Sequence, residues 1–175
     1  NCAIEPEIKD LSNFLCSMGA KIVWTGRRQV KIIGVKTFKQ SNYKIMFDRI
    51  EAGTMLIAGA INQGNLKITG IESSILETEI DLLKKIGAKI NQKKNEIIIK
   101  GNKKIKNINI KTSPYPGVAT DIQAQLMVLL CKANKRSTIK EDIFENRFQS
   151  IPELKRMNAK IEVKGNQAII EGNTI

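Results

Sequence analysis

The sequence predicts a mixed α/β fold assembled from a repeated strand–helix–strand–helix–hairpin unit. Three observations carry that expectation. The string Met18-Gly19-Ala20-Lys21-Ile22 recurs as Ile86-Gly87-Ala88-Lys89-Ile90 and as Met157-Asn158-Ala159-Lys160-Ile161, at spacings of 68 and 71 residues. Apolar residues at helical spacing precede each copy. Two short β-branched runs around a turn follow each copy.

The helices come first in each copy. Ile8, Leu11, Phe14, Leu15 and Met18 line one stripe, Ile80, Leu83 and Ile86 a second. The third helix opens at Ser150, with Pro152 in its first turn, and runs through Leu154 to Met157. Gly19, Gly87 and Asn158 close them, residue types that accept the left-handed position after a helix. The hairpins pair residues 22–24 with 30–33, Ile90 with 97–99, and 161–163 with 168–170, turning at Gly26, Lys94-Asn95 and Gly165-Asn166. An earlier half repeats as well: residues 51–61 match 122–132, both helix-like, and strands follow at 66–71 and 137–143. The first copy has only its second half, so the chain reads as a piece of something longer. Residues 43–47 read as a strand at the joint. The expected division is residues 1–46 as the end of one domain and 47–175 as two units of another, about 47–110 and 111–175.

Composition narrows the chemistry. Among 175 residues, 29 Lys or Arg face 17 Asp or Glu, a formal net charge of +12, and there is no histidine. This chain alone therefore supplies no histidine base, triad or imidazole ligand. Ile (29), Lys (23) and Asn (15) dominate while Arg occurs six times, a bias that AT-rich codons produce. A field this positive still draws phosphates, nucleic acid or anionic substrates. A basic module for RNA or membrane phosphates is thus one reading; 5% aromatics and scattered lysines argue against it. No apolar run approaches the roughly 20 residues of a membrane helix. Cys2, Cys16 and Cys131 are odd in number and far apart, which speaks against disulfides or structural zinc and for a reducing cytoplasm.

Three segments stand out chemically. In residues 112–125, two prolines and a glycine stiffen a loop that delivers Asp121 to the first turn of a helix, where the macrodipole favours a carboxylate. Helix capping is the plain alternative. In Ile143-Phe144-Glu145-Asn146-Arg147-Phe148, a rare arginine offers its planar fork to a carboxylate or phosphate, or else pairs with Glu145 at the surface. In Phe47-Asp48-Arg49-Ile50-Glu51, a cap and a solvated ion pair suffice, as acids at a helix start do for Glu5 and Glu7. The lysines between Lys100 and Lys111 read as a solvated strand edge.

Taken together, these segments resemble the enolpyruvyl transferases that act on UDP-N-acetylglucosamine. The matching stretches are residues 1–7, 11–15 and 18–22, then Asp48-Arg-Ile-Glu-Ala-Gly-Thr54, Pro116-Gly117, Thr120-Asp-Ile-Gln-Ala-Gln125, Phe144-Glu-Asn-Arg-Phe148 and Pro152-Glu-Leu-Lys-Arg-Met157. The resemblance implies an inverted α/β barrel of two domains, each of three βαβαββ units, with substrates in the cleft between them. It implies transfer of enolpyruvyl from phosphoenolpyruvate to the 3′-hydroxyl of UDP-N-acetylglucosamine, in peptidoglycan precursor synthesis. Asp121 is then the base at that hydroxyl, and Ile143 lies against the nucleotide sugar. Arg147, Arg49, Asp48, Glu5 and Glu7 belong to the charged network of the cleft. No cofactor or metal is implied, and neither nucleic acid nor membrane is a partner. The family's reactive-cysteine loop lies outside this sequence, and because the cleft needs both domains the isolated chain is expected to be inert. Val118-Ala119 stand where the family has an aromatic followed by proline. The shikimate-pathway transferase shares the fold and is the enzymatic alternative.

Overall fold

A computed structural model describes residues 1–174. The chain folds as two compact units, Asn1–Phe47 and Asp48–Ile175.

In the first unit, helix α1 (Pro6–Ser17) precedes an antiparallel hairpin of β1 (Lys21–Gly26) and β2 (Gln29–Ile33). Pro6 in the first turn suits a helix start, where its missing N–H costs nothing. Residues 43–47, expected as a strand, form none. Side chains hold them instead: Tyr43 Oη donates to Asp10 Oδ1 at 2.7 Å, and Met46 N–H to Asp10 Oδ2 at 3.4 Å. Val23, Ile32 and Leu11 remain exposed, so this hairpin and helix bury little apolar surface between them.

The second unit holds two versions of the repeat. Helix α2 (Arg49–Ile61), β3 (Asn65–Thr69), a 3₁₀ turn (Ser73–Leu76), α3 (Glu77–Lys85), β4 (Lys89–Lys93) and β5 (Glu96–Lys100) make the first version. Its sheet runs β3-β5-β4, antiparallel throughout. The next version comprises β6 (Asn109–Lys111), a 3₁₀ turn (Thr120–Ile122), α4 (Gln123–Cys131), β7 (Ser137–Lys140), α5 (Ile151–Arg156), β8 (Ile161–Lys164) and β9 (Gln167–Ile170). Its order is β6-β7-β9-β8, with β6 and β7 parallel across the α4 connection. Helices α2 and α4 pack together and are apolar nearly all round, as helices buried inside a fold must be. Leu56, Ile80, Leu83, Ile97, Ile99, Met127, Leu129, Ile139 and Ile170 are fully buried in this core.

All three copies close their helix with the same cap. Ala20 N–H reaches Leu15 O, Ala88 N–H reaches Leu83 O, and Ala159 N–H reaches Leu154 O, each at 3.0 Å. The residues between have φ of +101° (Gly19), +108° (Gly87) and +70° (Asn158). This is the Schellman arrangement, in which a left-handed residue turns the chain so that orphan helix carbonyls find donors. The lysines of 100–111 form a strand edge only in part: Lys100 ends β5 and Lys111 lies on the edge strand β6, while Lys103, Lys104 and Lys106 lie outside the strands. Residues 101–104 are irregular, and the segment is tied by buried Ile105, which bridges Ala133, and by Lys106 N–H to Ile86 O at 2.9 Å.

Candidate active site

Asp121 and Arg147, singled out in the second unit, meet where β6 and β7 end and α4 begins. Strand β7 stops at Lys140, earlier than the sequence pattern suggests, because the next side chain takes over the hydrogen bonding. Glu141 is 4% exposed, and its Oε1 accepts Ile143 N–H at 2.9 Å and Phe144 N–H at 3.2 Å. The same atom accepts the Thr112 hydroxyl at 2.8 Å, and Oε2 accepts the Thr120 hydroxyl at 2.8 Å. Burial pushes the Glu141 pKa up, but the bonds from Ile143, Thr120, Thr112 and Phe144 outweigh it and hold the carboxyl below its ordinary value. Sequence reading passed Glu141 over within Lys140-Glu141-Asp142. Its signal was position: an acid at the end of a predicted strand, flanked by the two loops of interest.

Around this buried carboxylate the loops present their charges. Asp121 lies in the 3₁₀ turn that leads into α4 and makes no side-chain cap. Its Oδ1 instead accepts Arg147 Nη2, in a salt bridge between partly exposed partners. Arg147 Nε–H donates to Thr120 Oγ1 at 3.2 Å, and its guanidinium lies 5.7 Å from the Phe144 ring. Arg147 therefore pairs with Asp121, 26 residues away, and not with Glu145. A cleft of about 350 Å³ opens beside the pair, lined by Thr120, Asp121, Gln123, Glu145, Arg147 and Ser150. Gln123 is 1% exposed, and its Nε2 has no hydrogen-bond partner among the described residues. Across Arg147, a second cleft of about 530 Å³ runs between Phe144, Phe148 and the turn at Gly165.

The other expected site residues do not join the Asp121–Arg147 pair. Ile143 is half-buried behind the Glu141 bonds. Asp48 caps α2, its Oδ1 accepting Ile50 N–H at 2.7 Å and Glu51 N–H at 3.2 Å. Arg49 is not solvated. It is buried, with its guanidinium 5.5 Å from the Tyr115 ring in the loop that leads to Asp121. In the first unit, Glu5 stands at the N-cap of α1 without a side-chain cap bond, and Glu7 lies in the first turn. Cys131 is buried, and burial raises its thiol pKa, the opposite of a reactive cysteine. Among the described residues, no group of three or more Cys, Asp or Glu is placed to hold a metal ion. No described helix is long and apolar enough to cross a membrane.

The sequence profile of the family described as EPSP synthase (3-phosphoshikimate 1-carboxyvinyltransferase) matches residues 1–175. The chain belongs to this family. Within it, the chain is 68% identical over 173 residues to the UDP-N-acetylglucosamine 1-carboxyvinyltransferase of Pelagibacter ubique, covering 99% of this chain and 42% of that protein. It is 48% identical over 175 residues to UDP-N-acetylglucosamine 1-carboxyvinyltransferase 1 of Clostridium perfringens, again covering 42% of the relative. The chain thus spans about two fifths of the length of these curated relatives. Among solved structures, the enolpyruvyl transferase NikO from Streptomyces tendae superposes with a TM-score of 0.84 at 25% identity, covering 96% of this chain and 40% of that one. The EPSP synthase from Acinetobacter baumannii follows at 0.68 and 19%, covering 94% and 40%, a likeness of fold alone.

Proposed function

We propose that this chain carries part of the active site of an enolpyruvyl transferase that moves enolpyruvyl from phosphoenolpyruvate to the 3′-hydroxyl of UDP-N-acetylglucosamine, supplying a precursor of peptidoglycan. The observation that carries the reading is the Asp121–Arg147 pair beside an open cleft, within a chain so similar to enzymes of that name. In this reading the acceptor hydroxyl gives its proton to Asp121 as its oxygen bonds to the central carbon of phosphoenolpyruvate, whose terminal carbon takes up a proton. Elimination then removes a proton from that terminal carbon and phosphate from the central carbon, which restores the double bond. A carboxylate is a weak base for an alcohol, so it acts only as attack acidifies the hydroxyl in a closed, desolvated cleft. Arg147, with Arg49 and Asp48, contributes to a preorganised charged environment for anionic substrates and the developing charge. Ile143 offers apolar contact to the nucleotide sugar. A cleft completed by another part of the protein leaves the 175-residue chain inert by itself.

The test is phosphate release by the full-length protein from phosphoenolpyruvate with UDP-N-acetylglucosamine or with shikimate 3-phosphate as acceptor. The reading expects turnover with the UDP-sugar and loss of at least about a hundred-fold in kcat in D121N, the scale of general-base catalysis. Turnover with shikimate 3-phosphate alone overturns the choice of acceptor. Full activity in D121N overturns the role of Asp121.

A further inference from the structure

We propose that Glu141 and Thr120 form a hydrogen-bond relay of fixed polarity that aims Arg147 at Asp121, which makes both of them positioning residues for the chemistry at Asp121. The direction of each bond follows from what its ends can do. Ile143 and Phe144 present backbone N–H groups to Glu141 Oε1, so this carboxylate oxygen accepts and cannot do otherwise. An arginine has no acceptor, so Arg147 Nε–H donates wherever it points. Thr120 stands between these two fixed ends, 8% exposed, with one hydroxyl proton to place.

That proton goes to Glu141 Oε2 at 2.8 Å, leaving the oxygen lone pairs to receive Arg147 Nε–H at 3.2 Å. The guanidinium is planar and rigid, so fixing Nε fixes where Nη2 projects, and Nη2 meets Asp121. Thr112 repeats the same polarity on the other carboxylate oxygen, donating at 2.8 Å to Oε1 while accepting Asp142 N–H at 2.9 Å. One buried carboxylate thereby joins the end of β6, the turn before α4 and the loop after β7. Asp121 and Arg147 lie on two of those three segments.

A glutamine at position 141 would reverse the relay with almost no change of shape. Its carbonyl must face Ile143 and Phe144, which turns its NH₂ toward Thr120. The threonine hydroxyl would then accept from that NH₂ and its own proton would lose its acceptor, so no carboxylate would hold its lone pair toward Arg147 Nε–H. A valine at position 120 removes the relay atom and leaves the volume. Serine restores the hydroxyl.

The consequence for rate rests on the transferase reading; the relay itself does not. The experiment therefore has two arms on the full-length protein. In ¹⁵N spectra of arginine side chains, the Arg147 Nε–H signal is assigned by its disappearance in R147K. It should exchange slowly with solvent in the unsubstituted protein and rapidly in E141Q and T120V, and T120S should return it to slow exchange. In the kinetic arm, E141Q and T120V should lower kcat by up to about a hundred-fold, the cost of a small misplacement at a reacting centre. T120S should recover most of that loss. T120V added to R147K should cost little more than R147K alone, since both break one chain of contacts. Slow exchange of the Arg147 signal in T120V, or multiplying losses in T120V/R147K, overturns the proposal. If E141Q does not fold, T120V and T120S still decide it. If no acceptor supports turnover, the transferase reading fails while the spectra still judge the relay.

Discussion

The guanidinium of Arg49, the first residue of α2, lies 5.5 Å from the centre of the Tyr115 ring in the loop that leads to Asp121. Arg49 is 7% exposed, so the charge acts where water does not screen it well. The same charge favours the ionised form of Glu79 on α3, a buried carboxyl. One arginine thus ties the first version of the repeat to the loop of the second that leads to Asp121.

Replacing Arg49 by lysine should cost about 1 kcal/mol, since a compact ammonium stacks less well on an aromatic face than a planar guanidinium. R49A should cost more, because it also removes the stem that packs and leaves Glu79 with less favourable surroundings. Urea midpoints of the two variants measure the difference. Equal stability of R49A and the unsubstituted protein would remove Arg49 as an anchor of this loop.

Glu79 predicts a dependence on pH. It is 5% exposed, and burial raises its pKa, partly opposed by its own backbone N–H and by the Arg49 charge. A carboxyl whose folded pKa lies above its unfolded value is no burden at low pH, where both states hold the proton. As pH rises from the unfolded pKa through the folded one, the unfolded chain ionises first and stability falls. E79Q cannot ionise. Its stability relative to the unsubstituted protein should therefore increase as pH is raised from acid toward neutral. Thermal melts across that range check the sign; a constant gap between the two proteins would contradict it.

How much of this was legible beforehand varied with the kind of signal. The shared helix cap of the repeat was legible, because Gly19, Gly87 and Asn158 meet one backbone requirement, a left-handed residue after the last helical turn. Helices α2 and α4 were legible from the match of residues 51–61 with 122–132. The strand expected at 43–47 was not formed, because strand propensity is a statement about partners, and Tyr43 and Met46 find Asp10 instead of a ladder. Asp121 and Arg147 were visible as unusual residues, yet their pairing crosses 26 positions and has no local signature. Glu141 was least legible. In sequence it is one acid among lysines, and its meaning comes from the three segments that converge on it. Arg49 shows the same blindness from the other side, since charge beside charge at a helix start reads as solvated until a ring is found against it.

Asp48 poses the last question, whether its role is the cap or the charge. Its backbone is extended at φ −78° and ψ 112°, and Oδ1 takes both Ile50 N–H and Glu51 N–H, two of the donors that a helix start leaves unsatisfied. Losing that cap in D48A should cost about 1 kcal/mol. Asparagine caps nearly as well as aspartate, so D48N should keep the urea midpoint of the unsubstituted protein. Activity then separates the roles. If Asp48 also balances the charges of the cleft, D48N loses turnover while remaining stable, whereas a pure cap leaves turnover unchanged in D48N. A D48N protein as unstable as D48A would show that the carboxylate charge, and not the hydrogen bonds to Ile50 and Glu51, secures the start of α2.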